Sequence, residues 1–441
     1  MKDIAVRTIR LCGNLAVNQE GHLLFAGQDT LKLAAQYGTP LYLMDEDRVR
    51  ENMHVYKRAF RKTFREGSRV LYASKANSFG EIYRICAQEG LGADVVSAGE
   101  ILTAQKAGFP MEDTCFHGNA KTDGEIALAM ETGVGVICLD NLEEIAAVEA
   151  EAARRGIVQR VLLRLTPGID PHTYAAVDTG QVDSKFGFAI GTGQADEALE
   201  TVLGMKHMSL DGFHCHVGSQ VFDEDVFCRS AAVMLEYMAS ARERYGYTAE
   251  VLDLGGGYGV PYVESDGTVD LEARIGEVGE VVRSVCARLS FPEPRILMEP
   301  GRSIVADAGL TLYTVCVAKT IPGYRTYVSV DGGMTDNPRF ALYGARYTCL
   351  AAGRMNERAV LPSSVVGRCC ESGDIIQENV AMPASIQRGD ILAVCTTGAY
   401  NYSMASNYNR VPRPPIVMLR DGESRVAVRR ETDADLLRLD E

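Results

Sequence analysis

Residues 69–108 read RVLYASKANSFGEIYRICAQEGLGADVVSAGEILTAQKAG. Two strand-sized apolar runs, Arg69–Ala73 and Gly92–Val96, bracket a stretch with helical periodicity. After the second run, Ala98–Gly108 sets Ile101, Leu102 and Ala104 on one side of a helix, with Glu100 and Gln105 facing away. The stretch therefore predicts strand, helix, strand, helix. The same rhythm continues downstream through Thr114–His117, Val134–Leu139, Arg160–Leu165, Asp211–His216, Glu250–Leu254 and Arg295–Glu299. A further helix is predicted over Thr122–Thr132, ending at Gly133 as a C-cap.

The first four strand starts lie about 20–25 residues apart, close to the minimum for a strand–helix unit with short loops. Later spacings are longer, so insertions are expected in those loops. Eight strands alternating with helices predict a (β/α)8 TIM-type barrel in preference to an open doubly wound sheet. From about residue 305 the pattern changes to strands and turns, over Leu310–Ala318, Tyr327–Val330, Ser363–Val366 and Asp390–Val394. The expected organisation is a barrel over 36–304 and a mostly β domain over 305–441, joined by an N-terminal strand from residues 1–35, with Leu23–Phe25 as the candidate. The loop between Ile169 and Lys185 is a candidate lid.

A chain of 441 residues is too long for one ordinary core. Its net charge of −14 repels phosphate backbones and anionic lipid, so neither nucleic acid nor membrane is an expected partner. The N-terminal MKDIAVRTIR has no long apolar run, so neither a secretory signal nor a membrane span is expected. The 12 cysteines are scattered without a Cys-x-x-Cys pair, which suits reduced thiols in a cytoplasmic protein better than a disulfide scaffold.

Chemistry in such a barrel sits at the C-terminal ends of its strands. Lys75 follows the first, in YASKAN; Asp94 and Ser97 mark the second, His117 and Asn119 the third, and Arg164 the fifth. His214, His216 and Ser219 follow in HCHVGSQ, Gly255, Gly256 and Gly257 after the seventh strand, and Glu299 and Arg302 in MEPGR. A lysine, a glycine cluster, a carboxylate and an arginine converging on one cavity are what pyridoxal phosphate needs. The lysine forms a Schiff base, another group partners the ring nitrogen, and glycine N–H groups cradle the phosphate. The glycine run lacks the Gly-Lys-Ser/Thr ending of a nucleotide-binding loop. His214 and His216 share one side of a strand, but no further ligand cluster lies near them in sequence. No metal is therefore expected: one ring stacks on the cofactor and the other packs below it.

These motifs resemble the fold-type III pyridoxal-phosphate decarboxylases, and among them the branch that acts on diaminopimelate. The resemblance runs from YGTPLYLMDED at Tyr37–Asp47 through GADVVSAGE, FHGNAK and DTGQVDSKFGF to DGGMTDNPRFALY, CCESGD and GAYNYSMASNYN, nearly the whole chain. It implies a barrel that binds pyridoxal 5'-phosphate and a β domain that completes the site. By that resemblance Lys75 is the Schiff-base lysine, His216 stacks on the pyridine ring, and Glu299 sits beside the ring nitrogen. Ser219, Gly255, Gly256, Gly257 and Tyr400 match phosphate contacts, and Pro300, Gly301 and Arg302 complete the cofactor set. Arg302, Arg339 and Tyr343 match substrate-carboxylate ligands, with Tyr400 alongside them. Cys370, the expected proton donor, and Glu371 match residues that reach the neighbouring subunit's site, which implies a homodimer with shared active sites. Two departures stand out: Phe340 replaces the proline of NPRPALY, and Cys369 precedes Cys370.

Charge narrows the substrate. Ornithine and lysine end in an ammonium, whereas meso-2,6-diaminopimelate ends in an amino-acid group and also needs cations. Glu371 suits the ammonium, and Arg302, Arg339 and Tyr343 suit the carboxylate. The expected reaction is decarboxylation of meso-2,6-diaminopimelate to L-lysine and carbon dioxide, the last step of lysine biosynthesis. The alternatives are a related decarboxylase acting on ornithine, lysine, arginine, a carboxylated polyamine precursor or a modified amino acid, a racemase on the same barrel, and a non-catalytic binding relative. A racemase needs a second base where this chain has CESGD, and a binding relative could lose Lys75, Glu299 and Cys370.

Overall fold

The computed structural model describes residues 5–169 and 183–441. Most of the Ile169–Lys185 loop therefore lies outside the described residues. The chain divides into two compact units, one of 52–259 and 268–303, the other of 1–51, 260–267 and 304–441.

The first unit is a closed (β/α)8 barrel. Its parallel strands are Arg69–Ala73, Gly92–Val95, Thr114–Phe116, Val136–Leu139, Gln159–Thr166, Met208–His214, Val251–Asp253 and Arg295–Met298. Closure is explicit in the register: Leu297 pairs with Arg69, joining the last strand to the first. The second, third, fourth and seventh strands are buried along almost their whole length, as strands between a filled interior and a ring of helices must be. Leu71, Cys115, Cys138, Leu162 and Val251 fill the interior as one apolar cluster. The expected strands all occur, the first with unchanged bounds and the others shifted by one to three residues at one end or both. One shift has chemical weight: the sixth strand stops at His214, so His216 lies in the loop beyond it and not on the strand.

The helices stop and start where side chains satisfy their ends. Thr122 and Glu125 form a reciprocal capping box before Asp123–Thr132, and Gly133 (φ 80°) ends that helix in the left-handed region. Just before it, Lys121 is nearly inaccessible, 1% exposed, and its Nζ lies 2.6 Å from Glu144 Oε1, itself 3% exposed. The same ammonium donates to Gly118 O at 2.8 Å and Cys138 O at 2.6 Å, tying the loop after the third strand to the fourth. Removing one partner of such a pair strands the other in low dielectric. Lys121→Met is therefore expected to destabilise the barrel by about 3–5 kcal/mol. A thermal-denaturation midpoint equal to wild type would contradict this.

The second unit is mostly β. Its central strand, Gly309–Ile321, pairs antiparallel with Leu41–Asp45, Ile391–Cys395 and Arg325–Val330. Leu41–Asp45 is buried at every position and pairs parallel with Ile416–Arg420, so an N-terminal segment is an inner strand of this sheet. Leu23–Phe25 is also a strand, but it pairs with Leu15–Asn18 and Gln28–Asp29 in a separate four-stranded sheet. Its Leu23 and Phe25 nevertheless pack with Leu41, Leu43, Leu310 and Val417 in one apolar cluster. The difference is one of strand pairing: burial puts Leu23–Phe25 in the core, while its ladder partners are near neighbours in sequence and a single Leu23 N–H to Ala352 O bond at 2.7 Å reaches a distant segment. No helix among the described residues is long and apolar enough to cross a membrane.

Candidate active site

Lys75 sits in a single 3-10 turn, Ser74–Ala76, directly after the first barrel strand. Its Nζ lies 3.2 Å from Asp94 Oδ2; the lysine side chain is 38% exposed and the aspartate wholly buried. The amine therefore opens toward solvent while a buried carboxylate holds it from below. The turn is braced by Ser74 Oγ, which is 2.7 Å from both Asp94 O and Glu100 Oε2. From the segment after the eighth strand, Pro300 O accepts the Ala73 N–H at 3.2 Å. Gly301 packs against the same turn, where a Cβ would come within 2.9 Å of Ala73 O and of Ala76 Cβ. MEPGR and YASKAN, far apart in sequence, thus form one wall.

Glu299, the first residue after the eighth strand, is buried beneath this wall. His117 Nε2 is 2.6 Å from its Oε1, and His214 Nε2 is 3.3 Å from its Oε2. Burial alone would raise the Glu299 pKa, but the two imidazoles outweigh it and hold the carboxyl well below its usual 4.5. Burial works against charge on His214 too, yet Cys138 and Glu299 push its pKa up to about 9. His214 therefore contributes stability that is complete below about pH 6.5 and is lost as the pH rises through about 9. The destabilisation caused by His214→Asn is accordingly expected to be larger at about pH 6 than at about pH 10. A gap that widened with pH in chemical denaturation would contradict that sign.

His216 differs from its neighbour. Burial, then Lys75 and Arg164, depress its pKa well below 6.5, so the ring is neutral. Its Nδ1 accepts the Gly256 N–H at 3.3 Å, which leaves the proton on Nε2. The Gly255 N–H goes to Asp253 Oδ1 at 2.9 Å. Two of the three glycine N–H groups thus have partners inside the barrel, where the sequence suggested that all three stood open. Close approach explains the glycines as well: a Cβ on Gly256 would lie 2.0 Å from Glu299 O. Ser219 Oγ accepts from Arg302 Nη2 at 3.0 Å. Arg164 faces Phe186, with its guanidinium carbon 4.4 Å from the ring centroid, and lies 3.9 Å from Asp140.

In the β unit, Arg339 opens a short helix, Arg339–Tyr343, and is 7% exposed. Its guanidinium carbon is 5.1 Å from the Tyr343 ring centroid and 5.3 Å from that of Tyr400. Among the described residues its Nε has no hydrogen-bond partner. Tyr400 has φ 61°, an uncommon conformation for a side-chain-bearing residue. Phe340 occupies the first turn of the Arg339–Tyr343 helix, where a backbone N–H has no helical partner in any case.

Asp374 organises the remaining loops of this unit. Its Oδ1 accepts the Met334 N–H at 2.6 Å and its Oδ2 the Cys369 N–H at 2.7 Å, tying DGGMTDNPR to CCESGD. Burial, then Asp374, raises the Cys369 thiol to about 11, as suits a packing residue. Cys370 and Glu371 are exposed, and the Cys370 N–H is held by Asn409 Oδ1 at 2.7 Å. Both cysteines are free thiols.

Sequence reasoning passed over Asp253, Cys138 and Asp374. The first had a signal, an aspartate two residues before the glycine it turns back to cap. Cys138 had none, because a cysteine in the middle of an apolar strand reads as core.

Pyridoxal phosphate fits this donor set: one solvent-facing amine over a buried carboxylate, an anionic floor, a neutral imidazole, and a hydroxyl beside a glycine turn. The class follows from the barrel. Residues 46–306 match the pyridoxal binding domain of the pyridoxal-dependent decarboxylases. The diaminopimelate decarboxylase of Bacillus subtilis strain 168 is 45% identical over 430 residues, 98% of each chain. A crystal structure of the M. jannaschii diaminopimelate decarboxylase in complex with L-lysine superposes with a TM-score of 0.89 at 32% identity, covering 98% of this chain and 99% of that one. The Helicobacter pylori diaminopimelate decarboxylase complexed with L-lysine gives 0.83 at 32% identity, over 93% and 99% of the two chains. On these grounds the chain belongs to the diaminopimelate decarboxylase family.

Proposed function

We propose that the protein decarboxylates meso-2,6-diaminopimelate to L-lysine and carbon dioxide with pyridoxal 5'-phosphate, the last step of lysine biosynthesis. One observation carries the choice of substrate. Arg339 is a buried cation, stacked between two tyrosine rings, with its Nε lacking a hydrogen-bond partner among the described residues. A buried guanidinium in that state calls for an anion from outside the chain, and a carboxylate takes its fork in bidentate geometry. A substrate whose distal end is only an ammonium offers nothing to it.

When bound, the cofactor acts as the electron sink for the carbanion left by departing carbon dioxide. The chain supplies the rest. Lys75 would hold the cofactor through its Nζ and yield that place to the substrate amine. Glu299, as an anion, would partner the ring nitrogen and hold a proton there. The neutral His216 ring would pack against the cofactor. Ser219, the Gly255–Gly257 run and Tyr400 would bind the phosphate, and Pro300, Gly301 and Arg302 would line the cofactor. Arg302, Arg339 and Tyr343 hold carboxylate, and Tyr400 borders the substrate. The active form is a two-fold dimer, in which Cys370 of the partner subunit gives its Sγ proton to the product carbon and Glu371 of the partner subunit meets the distal ammonium. The exposure of both residues supports that assignment.

Carbon dioxide release, assayed in parallel from meso-diaminopimelate, L-lysine, L-ornithine and L-arginine, tests the reading. Release from diaminopimelate alone, with lysine formed, is the expected result. Release from another amino acid but not from diaminopimelate would overturn the substrate while leaving the barrel chemistry in place.

A further inference from the structure

Three residues from three strands meet on the barrel floor. His117 follows the third strand, His214 ends the sixth and Glu299 follows the eighth. All three are buried, and the two imidazole rings lie 4.7 Å apart at 60°. Each directs Nε2 at a different carboxylate oxygen. A carboxylate has about four acceptor positions, so two stay available for a further N–H donor. Asp253 provides the local contrast. Polar atoms of His117, His214, Asp253 and Glu299 all lie within 4.8 Å of one another. Yet Asp253 receives only the Gly255 N–H, and its Oδ2 has no partner among the described residues. Of two buried carboxylates in one cluster, the structure sets an imidazole Nε2 against each oxygen of one, as an ion-pair contact at Oε1 and a hydrogen bond at Oε2, and a single backbone amide against the other.

We propose that His117 and His214 are positioning residues for the decarboxylation, a two-imidazole clamp that keeps Glu299 anionic and aimed at the cofactor's ring nitrogen; this rests on the reading that Glu299 is the ring-nitrogen partner. The clamp divides the charge between the carboxylates. Burial, then the Glu299 charge, keeps Asp253 protonated well above its usual 3.8, so the negative charge resides on Glu299. In this clamp each imidazole carries its proton on Nε2, the nitrogen that faces Glu299, an arrangement that serves whether a ring is neutral or cationic. The other groups facing the clamp are Asp94, Cys115 and Cys138 around His117, with Cys138 again beside His214, and Lys75 and Arg164 toward His216. None of these replaces the clamp, because among the described residues only the His117 and His214 side chains come within hydrogen-bond distance of the Glu299 carboxylate.

The test uses the holoenzyme reconstituted with pyridoxal phosphate labelled with 15N at the ring nitrogen. The ring-nitrogen shift is followed by NMR between about pH 6 and 9. In wild type the nitrogen is expected to stay protonated throughout. In His117→Phe and His214→Phe its pKa is expected to fall by at least about one unit, with kcat falling about tenfold per unit and KM unchanged. His117→Gln, which keeps a donor for Glu299, is expected to recover part of both. Glu299→Gln serves as the reference. If it loses ring protonation and the histidine variants do not, the clamp is overturned and the Glu299 assignment stands. If Glu299→Gln keeps the ring protonated, the assignment itself is overturned. Should the phenylalanine variants fail to fold, the unsubstituted apo-protein labelled with 15N-histidine decides. Nε2–H on both rings at about pH 8 supports the clamp, and a ring protonated only at Nδ1 overturns it.

Discussion

Lys75→Ala is expected to lower carbon dioxide release by at least on the order of 10³-fold, because on the proposed reading it removes the group that would hold and exchange the cofactor. Borohydride reduction followed by peptide mapping is expected to place the cofactor on the residue-75 peptide in wild type and nowhere in the variant. The geometry adds a second consequence. Lys75 is the cation 3.2 Å from the wholly buried Asp94, so the same substitution leaves that carboxylate without its ion pair. Lys75→Arg separates the two effects. It restores a cation beside Asp94 and with it the denaturation midpoint, yet it cannot restore turnover, since a guanidinium does not exchange with an aldehyde as an amine does. Full turnover in Lys75→Ala with unchanged peptide mapping would show that the attachment point lies elsewhere.

The Arg339→Leu variant is expected to lose about 10²-fold or more in kcat/KM for diaminopimelate, the 2–5 kcal/mol that follows truncation of one side of a buried charge pair. Stability should move the other way. Arg339 is buried with its Nε unpartnered among the described residues, so the folded protein carries its desolvation without a compensating bond. Its replacement by an apolar side chain is expected to leave the denaturation midpoint unchanged or to raise it, a trade between stability and activity usual for binding residues. Arg339→Lys keeps the charge and loses the fork and the stacking between Tyr343 and Tyr400, so an intermediate kcat/KM is expected. The combination to look for is lower activity at undiminished stability. A variant that loses stability but keeps its kcat/KM would show Arg339 to be a structural residue and would remove the main support for diaminopimelate.

The order of the elements, and their ends to within about three residues, were legible because the signals are local. Alternating apolar runs and the Gly133 C-cap each act over a few residues, and each appears in the structure where its pattern lies, the cap in the left-handed region. The placement of Lys75 after the first strand and Glu299 after the eighth follows from the same rhythm, since barrel chemistry gathers at strand ends. What each group does there was less legible. His214 and His216 look equivalent in HCHVGSQ, but the strand stops between them. His214 is left on the floor against Glu299, and His216 turns to the Gly256 N–H.

From its sequence alone the chain determined the barrel, the β domain, the family and the lysine at the barrel mouth, because periodicity, capping and ordered motifs are written in neighbouring residues. Only the tertiary structure decided which carboxylate carries the charge. It also decided that Leu41–Asp45, and not Leu23–Phe25, is the inner N-terminal strand of the larger β sheet, and that Asp374 ties the Arg339 loop to the Cys370 loop. The reason is the same in each case. Residues 117, 214 and 299, like residues 41–45 and 309–312, meet through strand pairing and closure across long stretches of chain. The pKa of a buried group depends on those meetings and not on its neighbours in sequence.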